Sequence, residues 1–356
     1  MAARSKAKKP ISMALQGGGA HGAFTWGVLD RVLEDGRLDI KAITATSAGA
    51  MNAVAMAAGW AQGGADGARH GLQVFWRNIS QAGAPFAPFS QAPPMPEEFK
   101  ALNPFAAWTP SAFASALSNF ASPYDLNPFD LNPLRDVVEH SIDFDAIRNG
   151  PIELFLSATH VETGRARVFT GEEVGVDATL ASACLPQTFK AVEIDGEPYW
   201  DGGYMGNPAL FPIIYSKAPK DVLLVLLNPL FRAGTPRTAG EIQDRLNEIS
   251  FNSSLIGELR AVSFVQRLLD ENWLTDRVRR KYRRLNVHAI RGGQSLSDLS
   301  VSTKYDTRWE FLIDLRDRGR DYAESWLTTC FSRVGKASSI DVRDVFLGLD
   351  GVNHSR

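Results

Sequence analysis

The stretch Leu15-Gln16-Gly17-Gly18-Gly19-Ala20-His21-Gly22 follows a short apolar run, Ile11–Leu15, and leads into Phe24, Val28, Leu29 and Val32 at helical spacing. A second stretch, Ala45-Thr46-Ser47-Ala48-Gly49, sits between the run Asp39–Thr44 and the alanine- and methionine-rich segment Ala48–Gly59. Both read as strand, tight turn, helix. The same alternation continues to about residue 230, which predicts a mostly parallel sheet with helices on both faces.

Working outward, Asp66–Ile79 is amphipathic through Leu72, Phe75 and Trp76. Residues 84–133 change character, with ten prolines, seven phenylalanines and Trp108. Proline excludes a long helix and the aromatics argue against a plain linker. The expectation is an ordered insertion with a short helix around Ser111–Phe120, acting as a lid, a binding wall or a core plug. Regular patterning resumes with a helix at Leu134–Ser141 and strands at Ile152–Ala158 and Arg165–Phe169. A short helix at Asp177–Ala183 follows, then a hairpin of Ala191–Ile194 and Pro198–Trp200 about Asp195-Gly196. Asp221–Leu227 reads as a core strand, Thr238–Leu274 as a long helical stretch with one break, Asn286–Ile290 as a last strand and Arg308–Phe331 as a helix. The expected division is a catalytic domain over 10–230, carrying the insertion 84–133, and a mainly helical extension over 235–356 packed on it.

The bulk numbers fit a globular α/β protein. The chain has 356 residues, 44% of them hydrophobic and 22% charged, and a net charge of −2, so it has no overall bias toward polyanions. Its two cysteines, Cys184 and Cys330, are far apart and fit a reduced, cytoplasmic setting. Arg4, Lys6, Lys8 and Lys9 are not followed by an apolar signal-peptide core, so the leader reads as a solvated basic tail. No run approaches the ~18 apolar residues of a membrane span. Arg277–Leu285 holds six basic residues in nine, on an expected helix. They form either a solvated face or a contact with anionic lipid headgroups.

The two turns carry the chemistry. A glycine-rich turn exposes backbone N–H groups that can hold negative charge. A serine on a sharp strand-to-helix turn holds its hydroxyl in the open, at the positive end of the helix that follows. Ser47 is thus a candidate nucleophile, and a serine hydroxyl needs a neighbouring base. Of the six histidines only His21 lies in a glycine-flanked turn, inside the glycine loop itself. Asp201-Gly202-Gly203, directly after an expected strand, offers a carboxylate that burial would make more basic. Gly17, Gly19 and Gly22 also satisfy the dinucleotide fingerprint, but the second strand ends in Ala45-Thr46-Ser47 where that fingerprint needs an acidic residue.

Taken in order, these segments resemble the patatin-like phospholipases, which use a Ser–Asp dyad without histidine. Gly17-Gly18-Gly19-Ala20-His21-Gly22 is similar to the family's oxyanion loop, Ala45-Thr46-Ser47-Ala48-Gly49 to its nucleophile elbow and Asp201-Gly202-Gly203 to its Asp-Gly-Gly motif. Ala181-Ser182-Ala183-Cys184-Leu185-Pro186 is similar to the family's Ala-Ser-x-x-x-Pro segment. The resemblance covers residues 10–230 and implies a three-layer α/β/α fold and hydrolysis of lipid acyl esters. It makes Ser47 and Asp201 the catalytic pair and Gly17, Gly18, Gly19, Gly22 and Ala48 the oxyanion residues, with Ala45 and Gly49 shaping the elbow and Gly202 and Gly203 supporting Asp201. No metal or organic cofactor is expected. The expected partners are a lipid ester and, peripherally, a membrane or lipid surface, with no nucleic acid. The family pattern departs at two positions: Ala45 stands where the elbow usually begins with glycine, and His21 where the loop usually carries Arg or Lys. Two other readings stay open at this point: a catalytically quiet protein on a lipid or polyester surface, and a nucleotide-binding protein using the glycine loop.

Overall fold

The computed structural model describes residues 7–83, 122–127, 130–271, 273–292, 295–296, 298–299 and 301–348. Its centre is an eight-stranded sheet of β1 (Lys9–Leu15), β2 (Leu38–Ala45), β3 (Glu153–His160), β4 (Ala166–Thr170), β5 (Val192–Ile194), β6 (Glu197–Asp201), β7 (Asp221–Leu226) and β8 (Asn286–Arg291). The strand order is β5-β6-β3-β2-β1-β7-β8, with β4 also on β3. The run β3-β2-β1-β7-β8 is parallel, while β4, β5 and β6 add antiparallel pairs at one edge. This is the expected mostly parallel sheet.

The described helices are α1 (Gly22–Asp35), α2 (Ala48–Gly83), α3 (Pro123–Leu126), α4 (Pro133–Ser141), α5 (Phe144–Arg148), α6 (Val176–Ser182), α7 (Phe211–Tyr215), α8 (Ala239–Asp270), α9 (Asp276–Arg279) and α10 (Trp309–Thr329). They cover both faces of the sheet. On β1, Ile11, Met13 and Leu15 join the core cluster that also holds Phe24, Leu29, Leu72 and Leu312, from α1, α2 and α10. Ala14 points the other way, into a cluster with Leu224, Leu255, Leu259 and Phe346. Strand side chains alternate between faces, so a strand covered on both sides reads as an unbroken apolar run. Asp221–Leu226 is buried at every position for this reason.

Local chemistry sets the element ends. Gly36 stops α1 in the left-handed conformation, φ 70, with its N–H on the Val32 carbonyl. Gly63 and Gly64 break α2 between the two helical patterns read from the sequence. Thr238 and Glu241 form a capping box at the start of α8. α8 then runs unbroken to Asp270, a correction to the expected break, with no non-helical residue inside. The basic run Arg277–Leu285 is also not one helix. Only the turn Asp276–Arg279 is helical. Beyond it Arg283 donates to the carbonyls of Ser216 and Ala218, and Arg284 pairs with Asp270 at 2.9 Å. The chain here has to return from the end of α8 to β8, and its arginines fasten that return.

Most of the Phe/Pro-rich stretch, including the expected helix at Ser111–Phe120, lies outside the described residues. Beyond β7 the sheet continues into β8, whose register pairs Val287 with Val222 and Ala289 with Leu224. α10 lies along α1 at very close range. A methyl group on Gly27 would overlap the Arg316 carbonyl, and one on Gly319 would overlap that of Phe24. Among the described residues no helix is long and apolar enough to cross a membrane.

Candidate active site

The carboxyl ends of β1, β2 and β6 meet at one place. Ser47 sits between β2 and α2 with φ 55, a left-handed conformation that a non-glycine residue adopts at a cost. Its backbone N–H donates to both the hydroxyl and the carbonyl of Ser182, at 3.0 and 3.1 Å. Thr46 below it donates from Oγ1 to the Gly206 carbonyl at 2.5 Å. A Cβ at Gly49 would strike the Leu15 carbonyl, so only glycine lets α2 leave the elbow this close to β1. Ala45 lies one step back, inside β2, buried opposite Leu15 and Leu156.

Asp201 ends β6 and is fully buried. Its backbone N–H donates to the Cys184 carbonyl at 2.7 Å and its carbonyl accepts from Thr159 Oγ1 at 2.9 Å. Oδ1 accepts the Gly203 N–H at 2.6 Å, while Oδ2 has no partner of good geometry. Burial pushes the Asp201 carboxyl up to about 7, against smaller opposing effects of the Gly203 N–H, the Ser47 hydroxyl and the Lys304 charge. The Ser47 hydroxyl and the Asp201 carboxyl are thus neighbours, with one carboxyl oxygen left without a hydrogen-bond partner among the described residues. Gly202 is required by crowding, since a Cβ there would meet the Ser157 carbonyl.

The glycine loop divides its N–H groups. Gly17 donates to Asn207 Oδ1 at 2.7 Å, and Gly22 turns back onto the Gly19 and Ala20 carbonyls. The N–H groups of Gly18, Gly19 and Ala48 make no backbone or side-chain hydrogen bond among the described residues. Those three are the groups free to meet an anion beside Ser47. Gly17 and Gly22 act through shape. A Cβ on Gly17 would come within 2.7 Å of Ser47 Cβ, and one on Gly22 within 2.7 Å of Ala48 Cβ. Asn52 fixes the spacing by donating to the Gly22 and Ala48 carbonyls at 3.0 and 2.9 Å while accepting from Trp76.

Several residues of this region carried no signal of their own in the sequence. Gln16, buried, accepts the N–H groups of Leu227 and Asn228 at 2.8 Å each and donates to Asn252 on α8. Asn207 donates to the Phe251 carbonyl, and Asn228 donates to the Gly17 carbonyl at 3.1 Å. The loop is thus held by buried amides from the turn after β6, from the chain leaving β7 and, through Gln16, from α8. Ser182 and Cys184, on the Ala181–Pro186 segment, clamp the backbones of Ser47 and Asp201 together. His21 is buried, its Nε2 2.7 Å from Thr303 Oγ1, and burial with the nearby Lys304 charge lowers it to about 3. That direction favours the neutral imidazole. No three His, Cys, Asp or Glu side chains cluster as metal ligands among the described residues.

Serine, carboxyl group and a bank of free amides in a buried setting form an arrangement suited to acyl transfer. No curated protein sequence matches the chain. Among solved structures it is similar to VipD from Legionella pneumophila, at 13% identity and a TM-score of 0.40, over 98% of this chain and 74% of that one. It is also similar to the ExoU–SpcU complex from the type III secretion system of Pseudomonas aeruginosa, at 15% identity and a TM-score of 0.37, over 98% of this chain and 59% of that one. Residues 13–214, more than half of the sequence, match the family described as patatin-like phospholipase, and the chain belongs to that family.

Proposed function

We propose that this protein is a lipid acyl hydrolase of the phospholipase A or esterase type, with Ser47 as nucleophile and Asp201 as base. The observation that carries the reading is a left-handed Ser47 beside a buried carboxyl group with one unpaired oxygen, in turns whose Gly18, Gly19 and Ala48 amides make no hydrogen bond among the described residues. Asp201 takes the hydroxyl proton as Ser47 Oγ bonds to the ester carbonyl carbon. The N–H groups of Gly18, Gly19 and Ala48 hold the resulting oxyanion, where one such donor is worth ~3–4 kcal/mol. The C–O bond to the alcohol breaks, and Asp201 returns the proton to the leaving oxygen. Asp201 then deprotonates a water that attacks the acyl-serine carbonyl, and as the acyl–Oγ bond breaks and the fatty acid leaves, Asp201 returns that proton to Ser47 Oγ. Pushing the carboxyl up to about 7 makes it a far better base than an exposed aspartate without a histidine in between.

The test is hydrolysis of a p-nitrophenyl acyl-ester series of increasing chain length by wild type, Ser47→Ala and Asp201→Asn. Both variants should lose activity by at least ~10³-fold while keeping their fold. Turnover surviving in either one would overturn the pair. The pH profile has a definite sign. The base works ionised, so kcat/KM should rise with pH through a midpoint near 7 and then level. An acidic limb with a midpoint near 4 would show that the carboxyl is not raised by burial in the working enzyme.

A further inference from the structure

The 3₁₀ segment Val301–Tyr305 comes from the far end of the chain and lies against the glycine loop. The Lys304 carbonyl and Cβ occupy the space a side chain at Gly19 would fill, and Thr303 meets His21. From there the Lys304 ammonium reaches Asn228 and donates to Oδ1 at 2.8 Å. Asn228 is buried, and its Nδ2 donates in turn to the Gly17 carbonyl at 3.1 Å. That carbonyl belongs to the same peptide group as the Gly18 N–H.

We infer that Lys304 is a positioning residue that polarises the oxyanion hole through Asn228 and the Gly17–Gly18 peptide. This rests on the acyl-transfer reading above and deepens it. Hydrogen bonds in series strengthen one another, because each donor made more positive pulls electron density from the next group. A cation donating to the Asn228 oxygen sharpens the Asn228 N–H. That N–H draws on the Gly17 carbonyl and leaves the Gly18 N–H a stronger donor toward the oxyanion. The effect belongs to the transition state, since a neutral ester carbonyl carries less charge to answer it. Within the loop itself burial favours the neutral form of His21. Burial lowers the Lys304 ammonium, and Glu248 and Asp244 of α8 and Asp201 oppose that shift while Arg232 adds to it. The part of the chain beyond the family match at residue 214 thereby enters the chemistry.

The experiment compares wild type, Lys304→Met, Lys304→Arg, Asn228→Ala and the double variant Lys304→Met/Asn228→Ala, with thermal melting to verify folding. On one p-nitrophenyl ester, Lys304→Met and Asn228→Ala should each lower kcat about tenfold with KM unchanged, less than direct loss of an oxyanion donor. Lys304→Arg should recover most of the rate. The double variant should be no slower than either single, because the two act in one chain. The rate of covalent labelling by a fluorophosphonate should fall in step. If Lys304→Met does not fold, Lys304→Gln is judged by the same criterion. The inference is overturned if the uncharged variant keeps kcat within about twofold, if Arg is as slow as Met, or if the two losses multiply, all with Ser47→Ala inactive. A wild type with no Ser47-dependent ester turnover overturns the acyl-transfer reading itself, and the inference with it.

Discussion

The elbow at Ser47 and the crossing of α1 with α10 are both built on glycine, where two backbones touch directly. At the elbow, Gly49 meets Leu15 and Gly17 meets Ser47, all within the first 49 residues. At the crossing, Gly27 meets Arg316 and Gly319 meets Phe24, across almost the whole chain. The first contact shapes the turn that carries Ser47. The second brings α10, and with it the preceding segment that carries Thr303 and Lys304, against the rear of the same loop. A local motif therefore sets where Ser47 and the glycine loop stand, while a distant contact sets how firmly they are held.

The largest expected effect follows from the distant contact. Gly319→Ala forces a methyl group onto the Phe24 carbonyl, where only backbone could give way. A loss of about 3 kcal/mol in urea unfolding is expected, at the upper end for overpacking. If α10 were a loosely attached appendage, it would shift aside and the loss would be small. That result would break the comparison. A smaller effect is expected at the junction of the two regions. Gln16→Leu keeps volume but strands the N–H groups of Leu227 and Asn228 and the Asn252 amide. A cost of about 2 kcal/mol is expected, partly relieved if water enters. At a temperature where the variant stays folded, kcat should fall too, since Gly17 follows directly in the chain. Unchanged kcat with lowered stability would show that the amides hold the fold and not the loop.

These two sites also show what could be read from residues alone. Ser47, Asp201 and the glycines stand in short runs whose residue types announce a tight turn, so their places were legible. The strand at Asn286–Arg291 and the helix at Trp309–Thr329 were legible through apolar spacing. The buried amides were not. Gln16, Asn207, Asn228 and Asn252 are ordinary polar residues until a partner about 200 positions away arrives, and nothing local distinguishes them from surface amides. Lys304 was hidden for the same reason. The basic run Arg277–Leu285 misled in the opposite direction. Its charge density suggested a helix face, yet Arg283 and Arg284 are spent on tying a return loop to Ser216, Ala218 and Asp270.

The smallest expected effect sharpens where the α1–α10 contact gets its strength. Around the two glycines lies a rim of charges. Glu34 on α1 accepts from Arg69 of α2 at 3.0 Å and from Arg320 of α10 at 2.6 Å, and Arg31 reaches Glu324 at 2.5 Å. By its partners alone this cluster looks like the fastening of three helices. Its exposure argues otherwise, with the Glu34 side chain 38% accessible. Water at such a site screens the attraction, and holding long side chains in one geometry costs entropy. Glu34→Gln should therefore lower stability by only about 0.5 kcal/mol, and less in molar salt, where exposed charges are screened within about 3 Å. Urea unfolding at low and high salt, beside Gly319→Ala, separates the two sources. A Glu34→Gln loss that rivals the glycine variant and survives salt would move the strength of the crossing from its dry centre to its charged rim.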